Sequence, residues 1–318
     1  MFNAIDKIYT QRLLRGVYMN FKRMEVLSAI NKFGNISKAA KYLNLKQPTV
    51  SFHMKNLEDD VKATLFNNHN NKIFLTEEGK ALLFYAQKIL NLSNDAKTTM
   101  KYITSVEGYE IKIGSSSVPA LHILPDILTL YKKSKPNFLA KISVSVATAP
   151  EIQKMLKNYE ISFGIVSSSD IFLEGINSRK LCTDKMVLAF SPDHHLRYKN
   201  DITKEDLKDQ SFILHSINSS TRKLTNKWAE DIGLDIKPYL EISSVETIIK
   251  SLRKNLGISV LSEISVREAV KEGHLLTREL PSYSPSRNIY IIYNVDRYMP
   301  SVLKEFIDLL IKSYGSNQ

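Results

Sequence analysis

The sequence predicts an α+β multidomain chain: an N-terminal winged helix-turn-helix, a long linker helix, and a C-terminal α/β region of two subdomains. Three observations lead there. Between Phe21 and Glu58, short apolar helical patterns flank a tight polar turn. From Thr76 to about Val106 runs one long helical pattern without proline. From Glu110 onward, β-rich runs alternate with helical runs, which implies a parallel sheet with helices on both faces. The expected boundaries are residues 19–76, 77–108 and 109–318. Within the last, one subdomain takes about 109–183 and 280–318 and the other about 184–279. Residues 1–18 stand apart as an N-terminal extension.

Each element has a local reason. Phe21 to Ile30 is a helix with Met24, Leu27 and Ile30 on one side. Ser37 is expected to cap the next helix, which carries Ala39, Ala40 and Leu43. Asn44–Lys46 forms the turn. The following helix puts Val50, Met54 and Leu57 on one face and Pro48 in its first turn, where a missing N–H costs nothing. Leu65-Phe66 and Lys72-Ile-Phe-Leu75 then flank a polar turn at Asn67 to Asn71, which reads as a hairpin, or wing.

In the long helix, Leu82, Tyr85, Ile89, Leu92, Ala96 and Ile103 fall on a seam of alternating three and four steps, interrupted only at Thr99. Such a seam suits a partner helix, hence a homodimer. Beyond it the expected strands are Ile111–Gly114, Lys141–Ala147, Ile161–Val166, Ser211–Leu214, Tyr239–Ile242, Ile258–Leu261 and Asn288–Asn294. The expected helices are Pro119–Lys133, Pro150–Lys157, Ser220–Ile232, Val245–Asn255 and Val302–Tyr314.

Composition narrows the class. At 43% hydrophobic and 24% charged, the 318 residues have the balance of an ordinary globular protein. No apolar run has the length of a membrane span, and residues 1–18 lack the core of a secretory signal. A cytoplasmic location is expected. The net charge of +11 is compatible with a phosphate backbone as partner. Cys182 is the only cysteine, so no disulfide forms within the chain, and it is expected to be a buried strand cysteine. His194-His195 has no third ligand at metal-site spacing and reads as a surface turn. No phosphate-binding glycine loop, nucleophile elbow or zinc helix motif is present. Neither an enzyme, a cofactor nor a metal is expected.

Taken in order, Ala39-Ala40, Leu43, Leu45, Gln47-Pro48, Val50-Ser51, Leu57-Glu58, Leu65-Phe66, Leu75-Thr76 and Gly79 form a pattern that resembles the LysR-type transcriptional regulators. Ile161-Ser-Phe-Gly-Ile-Val166, Ser244-Val-Glu246 and Leu256-Gly-Ile-Ser-Val-Leu261 extend the match toward residue 314. The resemblance implies an effector domain like periplasmic binding proteins, dimers that pair into tetramers, and double-stranded promoter DNA as partner. It also implies a small-molecule effector held between the subdomains. RNA polymerase is a further expected partner, and a membrane is not. Departures are Lys46 where the family has Ser or Thr, and Phe52 where it often has Arg. Asn68, Asn71 and Lys72 stand where its wing arginines stand. Family chains begin near the position of Met19, so residues 1–18 are an extra segment or a start-site artefact.

The DNA-facing residues are expected to be Ser37, Gln47, Pro48, Thr49, Ser51, Phe52, His53, Lys55 and, on the wing, Lys72. Gln pairs bidentately with adenine, and apolar groups touch the thymine methyl. In the α/β region, polar residues recur where strands meet helix N-termini, which attract anions. The expected effector contacts are Ser115, Ser116, Ser117, Thr148, Asn218, Ser219, Ser220, Thr221, Arg222 and Ser244. Thr148–Glu151 and Ser243–Glu246 fit capping boxes that satisfy their own donors. Arg222 is expected to supply the fixed charge for an anionic or carboxylate effector. The competing readings are a solute-binding protein with an N-terminal oligomerisation module, and an α/β enzyme with an accessory domain.

Overall fold

The computed structural model describes residues 20–69, 72–104, 109–135, 141–168 and 172–315. The expected extension at 1–18, and Asn71 on the wing, lie outside them. The chain divides into two compact units, Met1–Ile103 and Thr104–Gln318.

The first unit holds α1 (Phe21–Phe33), α2 (Ile36–Tyr42), α3 (Gln47–Val61), β1 (Phe66–His69), β2 (Lys72–Leu75) and α4 (Glu77–Thr104). Its core is two clusters, with Phe66 packed against both. Val26, Ile30, Ala39, Ala40, Val50 and Ile73 pack together. Met24, Leu27, Leu57, Leu65, Leu83 and Ala86 form the adjoining cluster. The cap of α2 differs from expectation. Asn35 accepts the Lys38 N–H at 3.1 Å, and Ser37 sits inside the helix, because the helix begins two residues earlier. Asn44 takes a left-handed φ of 54° and makes the turn tight. The wing pairs Phe66 with Leu75 and His69 with Lys72, so Asn67 and Asn68 belong to the strand rather than to the turn.

The second unit is built on one sheet in the order β4-β3-β5-β11-β6-β9-β7-β8. Its strands are β3 (Glu110–Ser115), β4 (Lys141–Val146), β5 (Phe163–Ser168), β6 (Ile176–Phe190), β7 (Phe212–His215), β8 (Pro238–Ile242), β9 (Ile258–Ser262), β10 (Leu276–Arg278) and β11 (Ser286–Asn294). The helices are α5 (Ser117–His122), α6 (Leu124–Ser134), α7 (Ala149–Lys157), α8 (Lys204–Leu207), α9 (Ser220–Asp231), α10 (Val245–Arg253), α11 (Glu263–Lys271) and α12 (Ser301–Tyr314). The expected parallel pairing holds at both ends, β4-β3-β5 and β9-β7-β8. The centre is antiparallel, through β11 with β5 and β6, and β6 with β9. The helix expected over Pro119–Lys133 is two helices. Pro125 has no N–H to give to the carbonyl four residues back, so the chain restarts at Leu124.

β6 is the crossing strand. It pairs with β11 as far as Lys185–Ser286, then with β9 from Met186–Ser262. Each half has its own core, Ile152, Leu156, Ile161, Val166 and Ile292 on one side, Phe190, Phe212, Leu214, Trp228 and Val260 on the other.

Candidate nucleic-acid interface and effector cleft

In α3, Val50 and Leu57 are fully buried, which fixes the rotation of the helix. The outer face then carries Gln47, Ser51, Phe52 and Lys55, all exposed, with Thr49 half-exposed. Phe52 leaves 62% of its surface open. No side chain caps the N-terminus of α3, and no acidic residue stands in its first turn, so Gln47 is not drawn into a local bond. Ser37 is exposed and lines an open trough with Lys41, Lys46, Gln47, Pro48 and Ser51.

His53 is placed differently from expectation. It is half-buried, unlike Gln47, which stands at the same angle of about 60° from Val50 but is exposed at the helix's first position. Its Nδ1 is buried without a hydrogen-bond partner. Burial first, then the charges of Arg23 and Lys22, hold its pKa below 6.5. Its ring is therefore less open to a base than those of its outer neighbours.

The wing is held from three sides. The Glu58 carboxylate accepts the N–H groups of Leu65 at 2.8 Å and Phe66 at 3.2 Å. Ile73 donates its N–H to the Gly34 carbonyl at 2.9 Å. Gly79 lets α4 press on the strand entry, since a Cβ there would stand 2.3 Å from the Leu65 carbonyl oxygen. Lys72 is exposed on this frame.

Along α4, Leu83 and Ala86 pack into the domain while Tyr85, Ile89, Leu92, Ala96 and Ile103 stay exposed. Leu82 departs from the expected seam, for it is partly buried against the core of its own domain. Phe84 and Met100 add exposed apolar surface that the seam did not include.

In the second unit the strand ends converge through specific hydrogen bonds. Ser115 is buried, and its hydroxyl donates to the carbonyls of Ser116 and Ile165. The Ser116 hydroxyl accepts the Ser167 N–H at 2.9 Å, while Ser117 is exposed at the start of α5. Thr148 donates both its N–H, at 2.9 Å, and its hydroxyl, at 2.7 Å, to Glu151, as its capping pattern implied. Those bonds also lower the Glu151 pKa. The other capping box is displaced: Ser244, not Ser243, accepts the Thr247 N–H at 3.3 Å, and its hydroxyl donates to Glu246. Asn218 is exposed, and Ser219 caps α9 by accepting the Thr221 N–H at 3.2 Å.

Arg222, the expected cation, is already engaged within the fold. Arg222 is buried and turned to Glu241 at 3.1 Å, to the His215 carbonyl at 2.9 Å and to Asn226 at 2.8 Å. Arg287, from β11, takes the position between the halves. Its Nη1 donates to the hydroxyls of Ser220, at 2.5 Å, and Thr221, at 3.2 Å. Its Nε and Nη2 both meet the buried Asp184 carboxylate at 3.0 Å. Ser262 donates its hydroxyl to the other Asp184 oxygen at 2.5 Å. Asp184 and Arg287 thus tie the crossing point of β6 to α9 and to the end of β9. Single charges in alternating strands carry no periodic signal, so neither was expected.

α5 packs against α11 across these junctions. Among the described residues, the hydroxyls of Ser167 and Ser265 and His122 Nε2 are buried with no hydrogen-bond partner. Ser262, which caps α11, follows the same strand-to-helix logic as the expected serines.

Two other residues were expected to be inert. Cys182 lies in β6, half-buried, and burial pushes its thiol pKa up, which disfavours the reactive thiolate. His194 is not on the surface. It is buried, its Nδ1 accepts the Leu196 N–H at 3.3 Å, and its ring lies 4.4 Å from that of the exposed His195. No group of three metal-binding side chains exists among the described residues, and no described helix is long and apolar enough to cross a membrane.

Comparison with known proteins agrees with this architecture. Residues 21–80 match the bacterial regulatory helix-turn-helix protein, lysR family, and residues 105–314 match the LysR substrate binding domain. A probable RuBisCO transcriptional regulator of Porphyra purpurea is 25% identical over 89% of this chain and 90% of its own. An uncharacterized HTH-type transcriptional regulator of Methanocaldococcus jannaschii is 29% identical over 89% and 95%. Among solved structures, full-length CbnR in complex with its target DNA is 19% identical and has a TM-score of 0.68, covering 93% of this chain and 100% of that one. The effector binding domain of QuiR in complex with shikimate is 19% identical with a TM-score of 0.56, over 66% of this chain and 99% of its own. The Synechocystis CcmR regulatory domain in complex with 2-PG is 21% identical with a TM-score of 0.58, over 65% and 98%. With both family matches in sequence order and together spanning most of its length, the chain belongs to the LysR family of DNA-binding transcriptional regulators with a small-molecule effector domain.

Proposed function

We propose that this regulator reads promoter DNA through the exposed face of α3, as a homodimer joined along α4, and responds to a small anionic effector. The observation that carries the DNA reading is the open set Ser51, Phe52 and Lys55, with half-exposed Thr49, turned away from a fully buried stripe, and Gln47 exposed at the first position of the helix. Side chains on such a helix reach base edges in the major groove. Lys72, on the wing, is placed for a phosphate. The exposed residues Tyr85, Ile89, Leu92 and Ile103 favour a partner helix over a solvated rod. Pairing of dimers into tetramers, contact with RNA polymerase and a cytoplasmic location are carried over with the family.

The effector site lies at the junctions around Ser116, Ser167, Ser220, Thr221 and Ser265. Because Asp184 neutralises Arg287, an anion is held there by hydroxyls and helix N–H groups rather than by a free cation. The carboxylate of shikimate in the QuiR domain is of this chemical class. Membership of a regulator family weighs against the solute-binding and enzyme readings.

Band-shift titration of the DNA upstream of the chain's own gene, repeated with a panel of small carboxylates, tests the whole reading. At least one carboxylate should shift the midpoint several-fold, and Ser116→Ala with Thr221→Ala should abolish that response. A response that survives both substitutions contradicts the site.

A further inference from the structure

α10 has two ends. Ser244 caps the first, and the second overhangs a depression of about 770 Å³, closed by Ser191–Asp193 and by Gly273 and His274. Thr247, Lys250, Ser251 and Lys254 stand at i, i+3, i+4 and i+7, so they form one stripe along the depression, with Arg253 beside it. Lys250, Arg253 and Lys254 have no ion-pair partner among the described residues. Like charges three and four residues apart repel, so this grouping works against the helix rather than for it.

Cations often gather at a helix end to meet its free carbonyls. Here the Ser251 and Leu252 carbonyls are already met. Asn255 turns left-handed at φ 56°, and the N–H groups of Lys254 and Leu256 return to the Ser251 carbonyl, that of Asn255 to the Leu252 carbonyl. The nearby carboxylates do not balance the charge. Asp193 is the one carboxylate that lines the depression, against three cations, and Glu272 beside it is hydrogen-bonded to His274 at 3.0 Å.

We propose that this depression is a second ligand site, for a phosphate monoester, at the end of α10 away from its Ser244 cap. Three cations match a dianionic phosphate, and Thr247 adds a hydroxyl, while the Ser251 hydroxyl donates to the Thr247 carbonyl at 2.8 Å. Leu256, 46% exposed, offers an apolar contact and Asp193 an acceptor to the rest of the molecule. α10 spans roughly 13 Å, so its two ends are one rigid turn-to-turn link. Coupling to the effector rests on the cleft assignment above; the site itself does not.

The test is calorimetric titration of the full-length protein with inorganic phosphate and with glycerol 3-phosphate, at constant ionic strength. Saturable binding is expected, tighter for the ester. Lys250→Gln with Arg253→Gln and Lys254→Gln should weaken it at least tenfold. Lys132→Gln with Lys133→Gln, which removes exposed charge from α6, should leave it unchanged. Lys254→Gln alone, expected to weaken binding about threefold, serves if the triple variant melts early. Absence of saturation, or equal binding by the triple variant, overturns the proposal. Binding lost only with Ser116→Ala and Thr221→Ala would place phosphate in the cleft, overturning this site while leaving the effector reading intact. A wild type that ignores phosphate, with a triple variant that loses non-specific DNA affinity, would make the patch a nucleic-acid contact and also overturn it.

Discussion

Asp184 has no exposed surface and Arg287 almost none, so each charge depends on the other. Removing one partner of a buried pair costs about 3–5 kcal/mol, because the survivor is left uncompensated. Asp184→Asn should therefore lower the denaturant midpoint clearly, while Lys185→Gln, whose pair with Glu279 is exposed, should barely move it. Equal midpoints for the two variants would contradict a structural role for the buried pair. His215 makes a separate prediction. Burial, and then the Arg287 charge, lower its pKa from 6.5 to about 4. The folded state keeps it neutral, while the unfolded chain takes up a proton below about 6.5. Its contribution to stability is whole above that pH and falls away toward pH 4, by roughly 3 kcal/mol at most. Denaturant melts at pH 7 and pH 5 should show the loss, and His215→Phe should flatten it. A slope unchanged by the substitution would rule His215 out as its source.

Elements differ in how much of them could be read in advance. Around α3 and the wing the sequence pattern is legible because its members have geometric duties. Glu58 holds the Leu65 and Phe66 N–H groups, and Gly79 clears the Leu65 carbonyl. Gly79→Ala is accordingly expected to destabilise the DNA-binding unit by about 1–3 kcal/mol, read as a shift in its thermal unfolding. Position His53 was misjudged because a flank residue of a helix looks like an outer one when only its polarity is considered. Long β6 escaped notice because its first half, with Asn177, Ser178 and Arg179 exposed, lacks the apolar run of a buried strand. The effector junctions were legible as strand-to-helix serines and threonines. That Arg287 rather than Arg222 meets Ser220 and Thr221 was not, since that depends on β11 lying beside β6, a long-range pairing. The seam of α4 was legible by period alone. Ile89→Lys should place an unpaired charge in the proposed dimer contact and shift sedimentation toward monomer at micromolar concentration. A wild-type chain that already sediments as a monomer would contradict the contact.

At the scale of the molecule, the two compact units divide the work: one offers a rigid helix face, the other a polar junction between two half-sheets. The central claim is that the face of α3 reads sequence. Its most direct test is the ratio of affinities for the upstream DNA of the chain's own gene and for a shuffled copy, measured over a range of salt. The wild type should prefer its own DNA by a factor on the order of 10³ or more. Gln47→Ala should lose about 1–3 kcal/mol of that preference, if it makes a bidentate base contact. Lys55→Ala should weaken both DNAs alike and reduce the salt slope by about one. Replacing Gln47, Thr49, Ser51, Phe52 and Lys55 together by Ala should bring the ratio close to unity. A ratio unchanged in that variant would contradict the account.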